Sequence, residues 1–331
     1  MKLVISNAHF HLEKCVGCKT CAHVCPTLAF TLPLDRPLEK EKTAPCVSQC
    51  PIGIDIEGFV SLIGQERYLD AYSLILKKNP LAGITGRVCH HPCEENCNRG
   101  KFDEGISIQA LERLVADRAM REGFEMPKPQ VIKNAKIAIV GSGPAGLSCA
   151  YHLASLGYQP TVFEAEDHIG GMLHLGIPEY RLPRKVLDWE IEKIRSMGVE
   201  ILANRRLGEN LGIGELEGFD PVFIAIGFQK SHGLEIDGEH SEGILSALAF
   251  LRDVNTGQEV SPGKRIAVIG GGNSAIDAAR CALRLGCQPL LLYRRSVDEM
   301  PAIPSERQEL EQEGIQISSL VVPKRIVSKG G

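Results

Sequence analysis

The stretch Lys136-Ile-Ala-Ile-Val140-Gly141-Ser-Gly143-Pro144-Ala145-Gly146 decides the fold of the larger part of this chain. Ile137 to Val140 form an apolar, largely β-branched run that reads as a buried strand. It enters a glycine turn, after which Leu147, Ala150 and Leu153 recur at helical spacing. A second strand, Thr161 to Phe163, ends in Glu164. Strand, glycine turn, helix and terminal acid together make the dinucleotide-binding fingerprint. Gly141 suits the tight turn, Gly143 lets the backbone approach a pyrophosphate, and Gly146 permits close helix packing. The helix start offers unpaired N–H groups and about half a positive charge to phosphates. Glu164 is placed to accept from a ribose hydroxyl.

The same pattern occurs a second time. Arg265-Ile-Ala-Val-Ile269 runs into Gly270-Gly-Gly272-Asn273-Ser274-Ala275, with alanine in the third position still small enough for close packing. Its second strand, Pro289 to Tyr293, ends in Arg294-Arg295. An acid there would favour NAD. Two guanidiniums favour the extra 2′-phosphate of NADP through bidentate, charge-assisted bonds. The other reading is a solvated arginine pair beside bound NAD.

Working outward, the 331 residues suffice for two or three domains, and 44% apolar with 24% charged residues is ordinary for a globular chain. A net charge of −4 gives no reason to expect nucleic acid or an anionic membrane surface. No apolar run reaches membrane-spanning length, because Gly141, Gly143, Pro144 and Gly146 interrupt the longest. Gly123 to Pro129, with two prolines and a glycine, reads as a linker. No Ser/His/Asp or paired-carboxylate constellation is evident, so no acid–base residue is assigned.

Nine of the twelve cysteines precede residue 100. The first four read Cys15-x-x-Cys18-x-x-Cys21-x-x-x-Cys25-Pro26, the ligand run of bacterial 4Fe-4S ferredoxins. Thiolate-rich sites select iron–sulfur clusters or zinc, and this spacing fits a cubane better than zinc. Disulfides belong mainly to small secreted domains, and no secretory segment precedes these residues. The expected compartment is therefore a reducing cytoplasm. Cys46-x3-Cys50-Pro51 follows, then Cys89-x3-Cys93-x3-Cys97. Between them Phe59, Leu62, Ile63, Tyr72 and Ile75 predict a helix across 54–78, ended by Asn79-Pro80. A helical hairpin would bring Cys46 and Cys50 back towards Cys89, Cys93 and Cys97. Two cubanes need about eight ligands, and the cysteine before each proline, Cys25 or Cys50, is expected to ligate the other cluster. Cys149, Cys281 and Cys287 read as small packed residues.

"APCVSQCPIGIDIEGFVSLI" and "NPLAGITGRVCHHPCEENCNRG" resemble the iron–sulfur domain of the NADPH-dependent glutamate synthase small (beta) subunit family. The same domain opens dihydropyrimidine dehydrogenase and the NADPH–ferredoxin bifurcating enzymes. The resemblance runs from about Lys42 to the C-terminus. It implies FAD at the first glycine turn, aided by Gly170-Gly171-Met172-Leu173 and the Gly176–Pro183 loop, and NADPH at the second. "GGGNSAIDAAR", "YRRS" and "EMPA" carry the NADPH resemblance, and Phe219 to Gly227 resembles the crossover strand between the two domains. Relatives have a CxxC pair where this chain has Glu39-Lys-Glu-Lys-Thr43; the Cys15 run either supplies those ligands or holds a cluster of its own. In relatives one cluster also takes a non-cysteine ligand near the position of Glu112, which reads either as that ligand or as a solvated helix-face carboxylate. His90 and His91 read as local polar residues. Relatives continue beyond this C-terminus, through a segment that holds the flavin.

The expected fold is α/β. A ferredoxin-like segment (1–33) and a helical iron–sulfur domain (34–122) precede two Rossmann-like dinucleotide-binding domains, for FAD (131–247) and NAD(P)H (248–331), the second incomplete. The expected activity is electron transfer from NADPH through FAD to two 4Fe-4S clusters and on to a partner subunit or ferredoxin. By resemblance the partner is a glutamate synthase large subunit. A bifurcating, pyrimidine- or formate-linked complex, or a non-catalytic electron wire, are the alternatives.

Overall fold

The computed structural model describes residues 44–127, 133–231 and 233–327. Cys15, Cys18, Cys21 and Cys25 lie outside the described residues. The chain divides into two compact units, Met1–Phe124 and Glu125–Gly331.

The described part of the first unit is helical: α1 (Pro45–Gln49), α2 (Ile56–Gly64), α3 (Tyr68–Leu76), α4 (Ala82–Val88), α5 (Pro92–Glu95) and α6 (Ile108–Arg121). Asp55 caps α2 by accepting from the Gly58 N–H at 2.9 Å. The single helix expected across 54–78 is in fact two. Gln65-Glu66-Arg67 forms an exposed turn in which Glu66 adopts φ +62, and the chain folds back on itself. The reason is burial: only by turning can Phe59 of α2 and Tyr72 and Ile75 of α3 all reach full burial in one small core. Each such side chain contributes about 1.5–3 kcal/mol. α4 and α6 pack almost backbone to backbone, because a Cβ on Gly86 would lie 2.7 Å from the Arg113 amide nitrogen. That contact fixes Cys89, the C-cap of α4, against the start of α6.

The second unit alternates strands and helices: β1 (Lys136–Val140), α7 (Pro144–Ser155), β2 (Gln159–Phe163), α8 (Met172–Leu175), α9 (Arg184–Ser196), β3 (Glu200–Leu202), α10 (Ile213–Leu216), β4 (Val222–Ile224), α11 (Ala247–Asn255), β5 (Arg265–Ile269), α12 (Asn273–Arg284), β6 (Gln288–Leu292), α13 (Pro304–Gln312) and β7 (Gln316–Ser318). The first four strands form one sheet, in the order β3-β2-β1-β4, and the last three another, in the order β5-β6-β7. Every pairing is parallel, with Lys136 opposite Gln159 and Arg265 opposite Gln288 in equivalent registers. β1 is buried from Ile137 to Val140, as a parallel strand covered on both faces must be. In α12 every residue from Ala275 to Ala282 is buried, including Asp277 and Arg280. No helix among the described residues is long and apolar enough to cross a membrane.

Candidate functional sites: two glycine cradles and a cysteine centre

The first cradle lies where β1 meets α7. Gly141 adopts φ +106, and a Cβ there would lie 2.3 Å from the Ala225 carbonyl oxygen. A Cβ on Gly146 would lie 1.9 Å from the Gly141 carbonyl oxygen. Both glycines are demanded by the protein's own backbone. Gly143 is different: it has ordinary extended geometry and nothing within 4 Å of its Cβ position. The fold does not need that glycine, so it leaves room for something that is not protein. Gly143 is also the N-cap of α7, no side chain caps that helix, and Pro144 occupies its first turn, where a missing N–H costs nothing. An open, positively polarised helix start fits a pyrophosphate.

Glu164 is buried at the tip of β2. It accepts from the Ser142 N–H at 2.8 Å, the Ser142 hydroxyl at 2.5 Å and the Glu166 N–H at 3.0 Å. Ser142, fully buried, in turn accepts from the Gly170 N–H at 3.0 Å. Sequence reading missed Ser142, which sits in the free position of the glycine pattern; its small hydroxyl carries no periodic signal. Gly170 and Gly171, at φ +116 and +54, turn the chain into α8, and a Cβ on Gly171 would come within 3.0 Å of the Gly143 Cα. The 170–173 loop therefore borders the cradle. Leu173 is buried, while Met172 and Ala145 retain exposure. Nearby, burial, with Arg184 and His168 adding to it, lowers His174 to about 4, and its ring stacks on His168 at 4.4 Å.

The second cradle repeats this logic where β5 meets α12. Gly270 adopts φ +144, with its Cβ position 3.2 Å from the Ala275 methyl, and a Cβ on Gly271 would strike the Tyr293 ring at 2.4 Å. Gly272, the N-cap of α12, has nothing within 4 Å, and no side chain caps the helix. Asn273 accepts from the Ile303 N–H at 3.0 Å, which holds the loop before α13 beside the cradle. Ser274 is exposed and Ala275 buried. Arg294 and Arg295 are exposed after β6 and make no ion pair among the described residues.

In the first unit Cys46 lies in α1 and Cys50 caps it, and α1 packs on α5, which carries Cys93. All five described early cysteines are free thiols. Burial pushes the Cys93 thiol up to about 12, and negative charge on Glu94, Cys50 and Cys89 adds to the rise. Burial also raises Cys89, with the His91 N–H opposing and Glu112, Cys50 and Glu94 adding. Cys46 is raised by burial and Glu57, and also senses Cys97. Cys97 is lowered: burial opposes ionisation, but the N–H groups of Ile106, Arg99 and Gly100 outweigh it. The Ile106 N–H reaches the Cys97 Sγ at 3.5 Å and the His91 N–H the Cys89 Sγ at 3.3 Å. A thiol must lose its proton to become a cluster ligand, and binding to a metal drives that loss. Among the described residues no three or more His, Cys, Asp or Glu side chains converge to hold a metal ion.

Glu112 is not the solvated carboxylate offered as one of its two readings. It is buried, accepting from Asn79 Nδ2 at 2.7 Å and the Thr85 hydroxyl at 2.5 Å. Gln109, one turn earlier on α6, donates to the Cys89 carbonyl at 2.6 Å. These long-range partners left no local pattern in the sequence.

Residues 135–331 match the family described as pyridine nucleotide-disulphide oxidoreductase. The chain belongs to that family. Residues 36–124 match dihydropyrimidine dehydrogenase domain II, 4Fe-4S cluster, and residues 8–31 a 4Fe-4S binding domain. The cofactor classes are thus iron–sulfur clusters, flavin and pyridine nucleotide. Among family members, the NADP(+)-dependent formate dehydrogenase subunit beta of Moorella thermoacetica is 43% identical over 87% of this chain and 45% of its own length. The NADPH-Fe(3+) oxidoreductase subunit beta of Geobacter sulfurreducens is 42% identical over 86% of this chain and 44% of its own. The glutamate synthase [NADPH] small chain of Bacillus subtilis is 34% identical over 82% and 62%. The chain therefore spans less than half the length of the first two relatives.

Proposed function

We propose that this chain is the electron-entry part of a multi-subunit redox enzyme, with FAD at the first cradle, NADPH at the second and 4Fe-4S clusters on the early cysteines. Bound there, the nucleotides supply a two-electron hydride transfer and the clusters supply one-electron relays to a partner. The chain's own tasks are to hold the two nucleotides at fixed spacing and to give the clusters thiolate ligands. The observation that carries this reading is the pair of cradles in one compact unit, each with a middle glycine that the fold itself does not require. Glu164 is assigned to the adenosine ribose of FAD, and Arg294 and Arg295 to the 2′-phosphate of NADPH. Cys46, Cys50, Cys89, Cys93 and Cys97 are assigned to the clusters, with the Cys15, Cys18, Cys21 and Cys25 run completing the set or holding its own cluster. Cluster-forming thiols suit a reducing cytoplasm.

A glutamate synthase large subunit is one acceptor of the right kind. The higher identity to formate- and Fe(3+)-linked subunits favours an acceptor of that second type. The test is anaerobic addition of NADPH to purified full-length chain. Loss of flavin absorbance followed by reduced-cluster electron paramagnetic resonance is the expected result. Protein that binds neither flavin nor iron would overturn the reading.

A further inference from the structure

α12 is buried on all sides for two turns, yet it carries a carboxylate there. Asp277 is 4% exposed and lies one turn beyond the Gly272 cradle. Its partners come from the loop between α8 and α9, not from its own sheet. Arg181 Nη1 reaches it at 2.7 Å and the Tyr180 hydroxyl at 3.3 Å. The Arg181 side chain is itself 8% exposed and also contacts Glu306 of α13 at 2.8 Å. The Tyr180 ring lies under the guanidiniums of Arg280 and Arg284, at 4.8 and 4.0 Å, and packs against the core of the second lobe. The chain enters α8 through Gly170, whose N–H donates to the Ser142 hydroxyl, and Gly171, whose Cβ position lies 3.0 Å from the Gly143 Cα in the first cradle. Residues 170–183 are therefore a strap, tied to the first cradle at one end and to the helix of the second at the other.

We infer that Asp277 is a positioning residue, and that the Arg181–Asp277 tie sets the spacing of the two cradles and thereby the alignment for hydride transfer. This inference rests on the function proposed above. The physical case is that a buried ion pair is a poor source of net stability but strongly directional. Removing one partner leaves a buried charge uncompensated, so the strap must shift. A displacement of about 1 Å between reacting groups can cost about a hundredfold in rate. Binding at either cradle separately does not touch Asp277, so affinity is not expected to change with rate.

The experiment uses full-length, cofactor-loaded chain with Asp277→Asn and the gentler Tyr180→Phe. Stopped-flow flavin bleaching by NADPH, NADP+ affinity, FAD content and hydrogen–deuterium exchange of residues 170–183 are measured on each. Expected for D277N is about a tenfold or greater fall in bleaching rate, with FAD content and NADP+ affinity within about twofold, and faster exchange in the strap. Y180F, which loses only the 3.3 Å bond, should slow bleaching by about threefold. Wild-type bleaching rates with unchanged strap exchange in both variants overturn the inference. Loss of rate and NADP+ affinity in equal proportion also overturns it, because that is uniform binding and not alignment. Failure of wild-type protein to bleach despite bound FAD would sink the functional reading instead, and strap exchange in D277N would then decide the tie alone.

Discussion

Gly143 and Gly146 sit three residues apart in one turn, and the structure assigns them opposite reasons for being glycine. Gly143 has φ −63 and ψ −179, which any residue adopts, and no atom within 4 Å of its Cβ position. Gly143→Ala should therefore leave the fold intact and add about 0.4–1 kcal/mol of stability by restricting the unfolded chain. The new methyl occupies the space by which a pyrophosphate would approach the start of α7. Losing one charge-assisted backbone bond to phosphate costs about 2 kcal/mol, or about thirtyfold in FAD affinity. Gly146→Ala is the contrasting case. Its methyl would lie 1.9 Å from the Gly141 carbonyl oxygen, in a turn pinned by the Gly141 N–H to Phe163 bond of 2.8 Å. Backbone cannot yield as a side chain would, so the cost should be about 3 kcal/mol of fold stability. FAD per chain, measured after release, and the thermal midpoint are read on both variants. G143A protein that keeps wild-type FAD, or that melts as early as G146A, would refute the reasoning.

Four further outcomes are expected. Gly272→Ala should weaken NADP+ binding while FAD content stays at the wild-type level, since its Cβ position is equally open. Replacing Arg294 and Arg295 together with Gln should raise the KM for NADPH about tenfold and leave that for NADH unchanged, read by steady-state dye reduction. Cys93→Ser should cost about four irons per chain by colorimetric iron assay, whereas the buried Cys281→Ser should cost none. The last concerns pH. Burial pushes Asp277 from 3.8 up to about 6, against the pull of Arg181 and with Glu306 adding to the rise; the Tyr180 hydroxyl and Cys281 also face it. A carboxyl raised in the folded state binds its proton more tightly there. Its stabilising contribution is full below the unfolded value and is lost as pH rises through about 6. The difference in unfolding free energy between wild type and D277N should therefore fall by about 3 kcal/mol across that window. A flat difference curve in urea titrations would contradict it.

Local pattern carried much of this protein. An apolar run entering Gly-x-Gly-x-x-Gly admits few conformations, so β1, β5 and the helices after them were legible residue by residue, and so was the cysteine spacing. The break at Glu66 was not, because a helix and a helical hairpin share the same apolar spacing until burial in a common core chooses between them. The burial of Glu112 and Asp277 was not legible for a related reason: each is a carboxylate on a helix, and only partners dozens of residues away, Asn79 and Thr85 for one and Arg181 for the other, decide that it is buried. Sequence by itself determined two phosphate-ready turns and a set of thiols, since backbone sterics and ligand spacing act over a few residues. Tertiary structure alone decided which glycines the fold needs and which it leaves open, and it tied the two cradles together by a strap, since those are matters of contact between segments far apart in the chain.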